Sequence, residues 1–143
     1  MFVLSSLISW SHVHPVLVHF TVALPLVSVA SDLLGKFTDR YSLTPAAWWM
    51  LFYASVATPL TAFAGWMWAF DIERLGGAGE RATMEIHQWL GIGLVTGFLL
   101  MAIWRGWIFI QAGKPGINYF TFATIVLAAL AYQGYLGGKM TLG

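Results

Sequence analysis

HVHPVLVHFTVALPLVSVASDLLG, residues 12–35, is the stretch that decides the fold. From Pro15 to Gly35 it is apolar apart from His19, scattered Ser and Thr, and Asp32 near its far end. About 20 apolar residues at a 1.5 Å rise cross the hydrocarbon core of a bilayer. Proline is tolerated in the first helical turn, and Gly35-Lys36 makes a suitable stop, so a first span covers residues 15–35. Pro25, in mid-span, predicts a kink.

Three further spans follow. One covers residues 45–70, opening on Thr44 as a cap and Pro45 and carrying Pro59 at its middle. The others cover residues 83–107 and 118–136, the last ended by Gly137-Gly138. Four passes use most of a 143-residue chain, so residues 1–143 read as one all-α, integral membrane four-helix bundle. Short loops make neighbouring spans antiparallel in an up-down order, so the first and third run parallel. Charged residues are 9% of the chain against roughly 25% in soluble domains, too few to coat a surface that faces water. Trp10, Tyr41, Trp48, Trp49, Trp66, Trp68, Trp104, Trp107 and Tyr119 gather toward span ends as interfacial belts do. No internal repeat is evident.

Composition also bounds function. A net charge of +1 without a basic run argues against nucleic acid. The absence of cysteine excludes disulfides, thiolate metal sites and thiol catalysis. No nucleophile–base pair, phosphate loop or metalloprotease motif occurs, which argues against an enzyme acting alone. The opening MFVLSSLISWS lacks a positive n-region and a cleavage site, and reads as retained. Val3, Leu4, Leu7 and Ile8 share a helical face; a short interfacial helix and a frayed apolar terminus both fit. Lys36, Arg40, Arg105 and Lys114 lie on one side against Arg74, Arg81 and Lys139 on the other. The positive-inside rule then sets the first group on the cytoplasmic side and both termini outside.

Ionisable groups inside a bilayer are costly, which directs attention to the four histidines. His19 lies four residues past Pro15, and His87 four past Thr83, so both sit roughly 6 Å into parallel spans on the same side. Two imidazoles at one depth on two helices match the axial ligation of a bis-histidine haem. Gly91 and Ala23, one turn beyond His87 and His19, leave room for a porphyrin plane; Ala62, Gly65, Ala69, Ala131 and Gly134 offer the same on the other spans. Plainer readings stand beside these: a hydrogen-bonded histidine pair worth about 1 kcal/mol, and small residues that merely let helices pack. Arg81 and Arg74 could neutralise propionates.

The other polar residues carry less. His12 and His14 precede Pro15, and His14 points about 140° away from His19 if the helix has begun there. They read as interfacial groups meeting headgroups, a quinone or the helix terminus. The other membrane side holds no histidine, which excludes two haems stacked across the bilayer. Asp32 reads as an interfacial charge facing Arg40 or solvent, Glu85 as a first-turn carboxylate, and Gln88 and Gln133 as bonding partners for a ring nitrogen or a quinone carbonyl.

With these residues in hand, HVHPVLVHFTVALPLVSVASDLL resembles the opening helix of the family called domain of unknown function 2231. That family's signature is H-P-x-x-V-H-F-P-I-A-L-like and closes on Asp-Leu; here Thr21 stands in place of the proline after Phe20. The resemblance continues through TAFAGW, HQWLG and GYLGGKM. It implies likeness to small four-helix b-type cytochromes that accompany periplasmic oxidoreductases and c-type cytochromes. His14, His19 and His87 are the matching histidines and Asp32 the matching acid.

The leading expectation is a subunit of a larger redox complex carrying one haem b on His19 and His87. It would pass electrons between a periplasmic donor, a c-type cytochrome or dehydrogenase, and quinone or another membrane subunit. His14, His12, Gly91, Ala23, Arg81 and Gln133 would line a haem or quinone pocket. A cofactor-free anchor of a membrane complex competes with it. A proton or solute pathway through Asp32, Glu85 and the histidines ranks last.

Overall fold

The computed structural model describes residues 9–38, 40–74 and 81–142, without the side chains of residues 71–74, 81 and 141–142. The expected interfacial helix of the first residues and the Arg81 guanidinium lie outside the described set. Four helices follow one another: α1 Trp10–Phe37, α2 Leu43–Arg74, α3 Arg81–Ile110 and α4 Ile117–Leu142. Each holds a stretch long and apolar enough to cross a membrane, so the chain is a multi-pass, all-α four-helix bundle. α1 packs most closely on α2, α2 on α3 and α3 on α4, with α4 closing lightly on α1. α1 and α3 therefore face each other diagonally across the centre.

Two helix limits differ from the sequence reading in ways that matter. α1 begins at Trp10, one turn before Pro15. The Ser9 carbonyl accepts the His12 and Val13 amides at 2.9 and 3.2 Å, so the turn is formed before the proline withholds its own donor. α4 runs through Gly137-Gly138 to Leu142 instead of stopping there. In lipid an unpaired backbone group has no water to turn to, and helical hydrogen bonding outweighs the weak propensity of glycine.

The core runs from the middle of the bundle toward the α1–α2 and α3–α4 connections, around Leu51, Leu94, Phe98, Met101, Tyr119, Ala123 and Val126. The two halves of the chain contribute different chemistry to it. The buried stripe of α1 is small and polar (Thr21, Pro25, Ser28, Ser31, Asp32 and Gly35), and the Ser28 hydroxyl donates to the Ala47 carbonyl at 2.7 Å. Such residues let helices approach closely where lipid supplies no hydrophobic drive to associate. The stripe of α3 is bulky: Leu94, Phe98, Met101 and Arg105.

Despite that contrast, many buried positions of the two hairpins recur at one spacing. Thr21, Pro25, Ser28 and Asp32 recur at the same spacing as buried Leu94, Phe98, Met101 and Arg105. In the same way Ala47, Leu51, Ala54, Thr58 and Ala64 of α2 match buried Tyr119, Ala123, Val126, Leu130 and Leu136 of α4. The repeat lies in burial and spacing; hardly any of these positions share a residue type, so no repeat shows in the letters.

Candidate functional site

The seam between α1 and α3 carries a polar rung at each end. His14 and Asp32 lie about five turns, roughly 27 Å, apart on one face of α1, and His87 and Arg105 are spaced identically on α3. Successive residues turn by 100°, so the His14 face is also that of Thr21, Pro25 and Ser28. His19 stands about 140° away from it and is exposed, as are His12 and Ala23.

The structure therefore brings His14, and not His19, together with His87. The two rings are close enough to interact electrostatically. His19 turns outward, its Nδ1 bonded to the Pro15 carbonyl of its own helix at 2.6 Å. The physical reason is the early start of α1: with a formed turn ahead of Pro15, His14 is already helical, and only one of two rings so far apart in phase can face the bundle.

Each inward ring rests in the same kind of notch on the next helix. His14 Nδ1 lies 2.9 Å from the Thr61 carbonyl of α2. Four residues on, Gly65 leaves the ring its space: a Cβ there would lie 2.8 Å from His14 Cε1 and 2.9 Å from Nδ1. Trp68 closes the side, its ring centroid 5.9 Å from that of His14. On the other half, the His87 ring faces the Gln133 carbonyl of α4, and Gly137, again four residues on, would set a Cβ 3.3 Å from His87 Cε1. A glycine at that spacing bares a helix carbonyl to a side chain from outside the helix.

The chemistry of the two rings follows from these contacts. A carbonyl only accepts, so His14 Nδ1 is the protonated nitrogen and Nε2 keeps its lone pair. That is the tautomer of a histidine ready to bind a metal. His87 Nδ1 is buried without a hydrogen-bond partner, and so is Gln133 Oε1. The Gln133 amide donates to the His87 backbone carbonyl at 3.0 Å, and Gly91 leaves space for that amide, a Cβ there lying 3.3 Å from it. Among the described residues no three His, Asp or Glu side chains converge on one point.

Of the residues expected at this site, His14, His87, Gly91 and Gln133 are assembled, while His19, His12 and Ala23 face outward. Thr61, Trp68 and Gly137 belong to the site and were not expected there. Of the small residues anticipated on α2 and α4, Gly65 meets a histidine, whereas Ala131 and Gly134 are exposed.

At the opposite end, Asp32 departs from its expected place beside Arg40 or solvent. It is 2% exposed and accepts two hydrogen bonds from Arg105, Nε to Oδ2 and Nη2 to Oδ1, both at 2.7 Å. Arg105, wholly buried, also donates to the Thr44 carbonyl at 3.1 Å. The diagonal reach requires arginine's length and suits its planar fork. Arg105 is therefore no loop charge, and the six cations that remain divide evenly between the two membrane sides.

The profile of the family described as Predicted membrane protein (DUF2231) matches residues 11–143. No curated protein and no solved structure matches the chain.

Proposed function

The chain belongs to this family of membrane proteins, and from that premise we propose that it is a haem b electron-transfer subunit in which His14 and His87 would hold the iron. The observation that carries the proposal is the matched pair of notches. Two imidazoles at one depth, on parallel helices, face each other across the bundle, each backed by a carbonyl and a glycine of the neighbouring helix. A pair of histidines so placed would hold one macrocycle-bound iron between two helices.

The residues present fit the group. His14 has Nδ1 engaged and Nε2 open. His87 Nδ1 lies beside the Gln133 backbone, and donation from it to the Gln133 carbonyl would leave its Nε2 equivalent to that of His14. Haem, when bound, supplies a reversible one-electron couple. The chain's own part is to hold two neutral imidazoles in fixed tautomers, to exclude water with Trp68 and the surrounding helices, and to keep the site in a low dielectric.

In this reading the histidine end, which adjoins the amino terminus and the α2–α3 loop, faces a periplasmic donor of the c-type cytochrome or dehydrogenase kind. Quinone or a second membrane subunit accepts the electron, in the inner membrane of a bacterium. With no native cysteine, one introduced near either terminus reports its side by labelling of intact cells.

The test is a reduced-minus-oxidised visible spectrum of protein purified from a haem-replete host. A b-type spectrum is expected, lost in His14→Ala and in His87→Ala and retained in His19→Ala. A folded but colourless protein would overturn the proposal and favour a cofactor-free anchor. A spectrum that depends on His19 and not on His14 would overturn the ligand assignment.

A further inference from the structure

At the ion-pair end, two polar groups sealed from lipid and solvent are left over. Arg105 directs Nε and Nη2 to Asp32 and Thr44, but its Nη1, also buried, has no partner. Tyr119 of α4 is 1% exposed, and its hydroxyl likewise has none. The phenol stands within electrostatic reach of both Asp32 and Arg105.

We propose that one water molecule is bound between Arg105 Nη1 and the Tyr119 hydroxyl, as a resident part of the bundle. Buried polar groups in proteins are almost always hydrogen-bonded, and inside a membrane no bulk water relieves the exceptions. Nη1 carries two N–H donors and the phenol one O–H, so a group that accepts one hydrogen bond from each residue must bring an acceptor oxygen. A water oxygen accepts two hydrogen bonds, and its own hydrogens can go to the lone pairs that Asp32 has left. The Asp32–Arg105 pair is already neutral, so an anion in the same place would bury an unbalanced charge.

The water has a structural consequence. Arg105 already joins three helices through its own position on α3, Asp32 on α1 and Thr44 on α2. A water shared with Tyr119 brings in α4, the helix that closes only lightly on α1. All four helices then meet on one guanidinium.

The experiment is a structure of the full chain from lipidic crystals at a resolution that shows waters, with and without Tyr119→Phe, plus a bromide soak. The expected result is a peak about 2.7–3.2 Å from both Nη1 and the phenol oxygen, absent in Tyr119→Phe. A direct Tyr119–Arg105 or Tyr119–Asp32 bond, a clear map with no peak, a peak that survives Tyr119→Phe, or bromide at the position each overturns the proposal. Should Tyr119→Phe not fold, solid-state NMR of the wild-type protein in bilayers decides. Rapid magnetisation transfer from water to the Arg105 Nη1 supports the bound water, and no transfer excludes it.

Discussion

The two ends of the α1–α3 seam solve one problem, polar side chains inside a membrane, in opposite ways. At one end Asp32 and Arg105 neutralise each other through a two-pronged contact, with charge matched to charge across the diagonal. At the other, His14 and His87 face each other with ring and amide atoms left unmatched, Nδ1 of His87 and Oε1 of Gln133. A bidentate ion pair closes on itself and has little reason to admit a third chemical group beyond water. Two imidazoles, that of His14 bonded to a helix carbonyl and that of His87 facing one, have no such closure, and a ring lone pair stays available to a ligand. The contrast teaches that neither burial nor an unmatched polar atom by itself marks a functional site, since both ends keep such atoms; what sets the histidine end apart is an imidazole lone pair that a metal could use.

The largest test breaks the closed end. Asp32→Ala leaves the Arg105 charge buried and unpaired, and loses about 3–5 kcal/mol of folding free energy in mixed-micelle denaturation. Replacing the pair together, Asp32→Leu with Arg105→Met, recovers most of that, because the loss comes from the orphaned charge. If the double variant is no better than the single one, the end is not self-contained in the sense argued here.

The next test strikes the open end without touching a histidine. Gly65→Ala drives a methyl into the His14 ring and moves it off the Thr61 carbonyl. On the proposed haem reading, cofactor retention, read from the haem-to-protein absorbance ratio, falls about 10–100-fold, as when outer-shell partners of a metal ligand are lost. Stability falls by only about 1–3 kcal/mol. Gly134→Ala, which meets nothing within 4 Å, leaves both unchanged or gains slightly in stability.

Gln133→Leu sharpens the comparison at smaller scale. It removes the donor to the His87 carbonyl, lowers stability by about 1 kcal/mol and shifts the haem potential while keeping the spectrum. An unmoved potential would restrict Gln133 to a packing role. Smallest of all, His19→Ala changes stability by no more than about 0.5 kcal/mol and leaves the spectrum intact, since the ring is exposed and bonded only to its own helix.

How far these features could be read without coordinates depends on the range of the interaction behind each. Length and hydrophobicity along the chain are local quantities, and they alone determine four spans, up-down order and the parallel course of α1 and α3. They also bring His87 to the depth of the histidines in the first helix. Helix phase is not local. A start at Trp10 instead of Pro15 adds little more than one turn to α1, yet it makes His14 helical and decides how its face is presented. The 140° between His14 and His19 guaranteed that one would face in and the other out; packing against Thr61 and Gly65 chose which. Asp32 and Arg105 were beyond reach for the same reason: their bond runs diagonally between helices without close backbone contact, and no sequence spacing encodes it. The correspondence of the two hairpins, carried by burial rather than residue type, emerges only when all four helices are assembled.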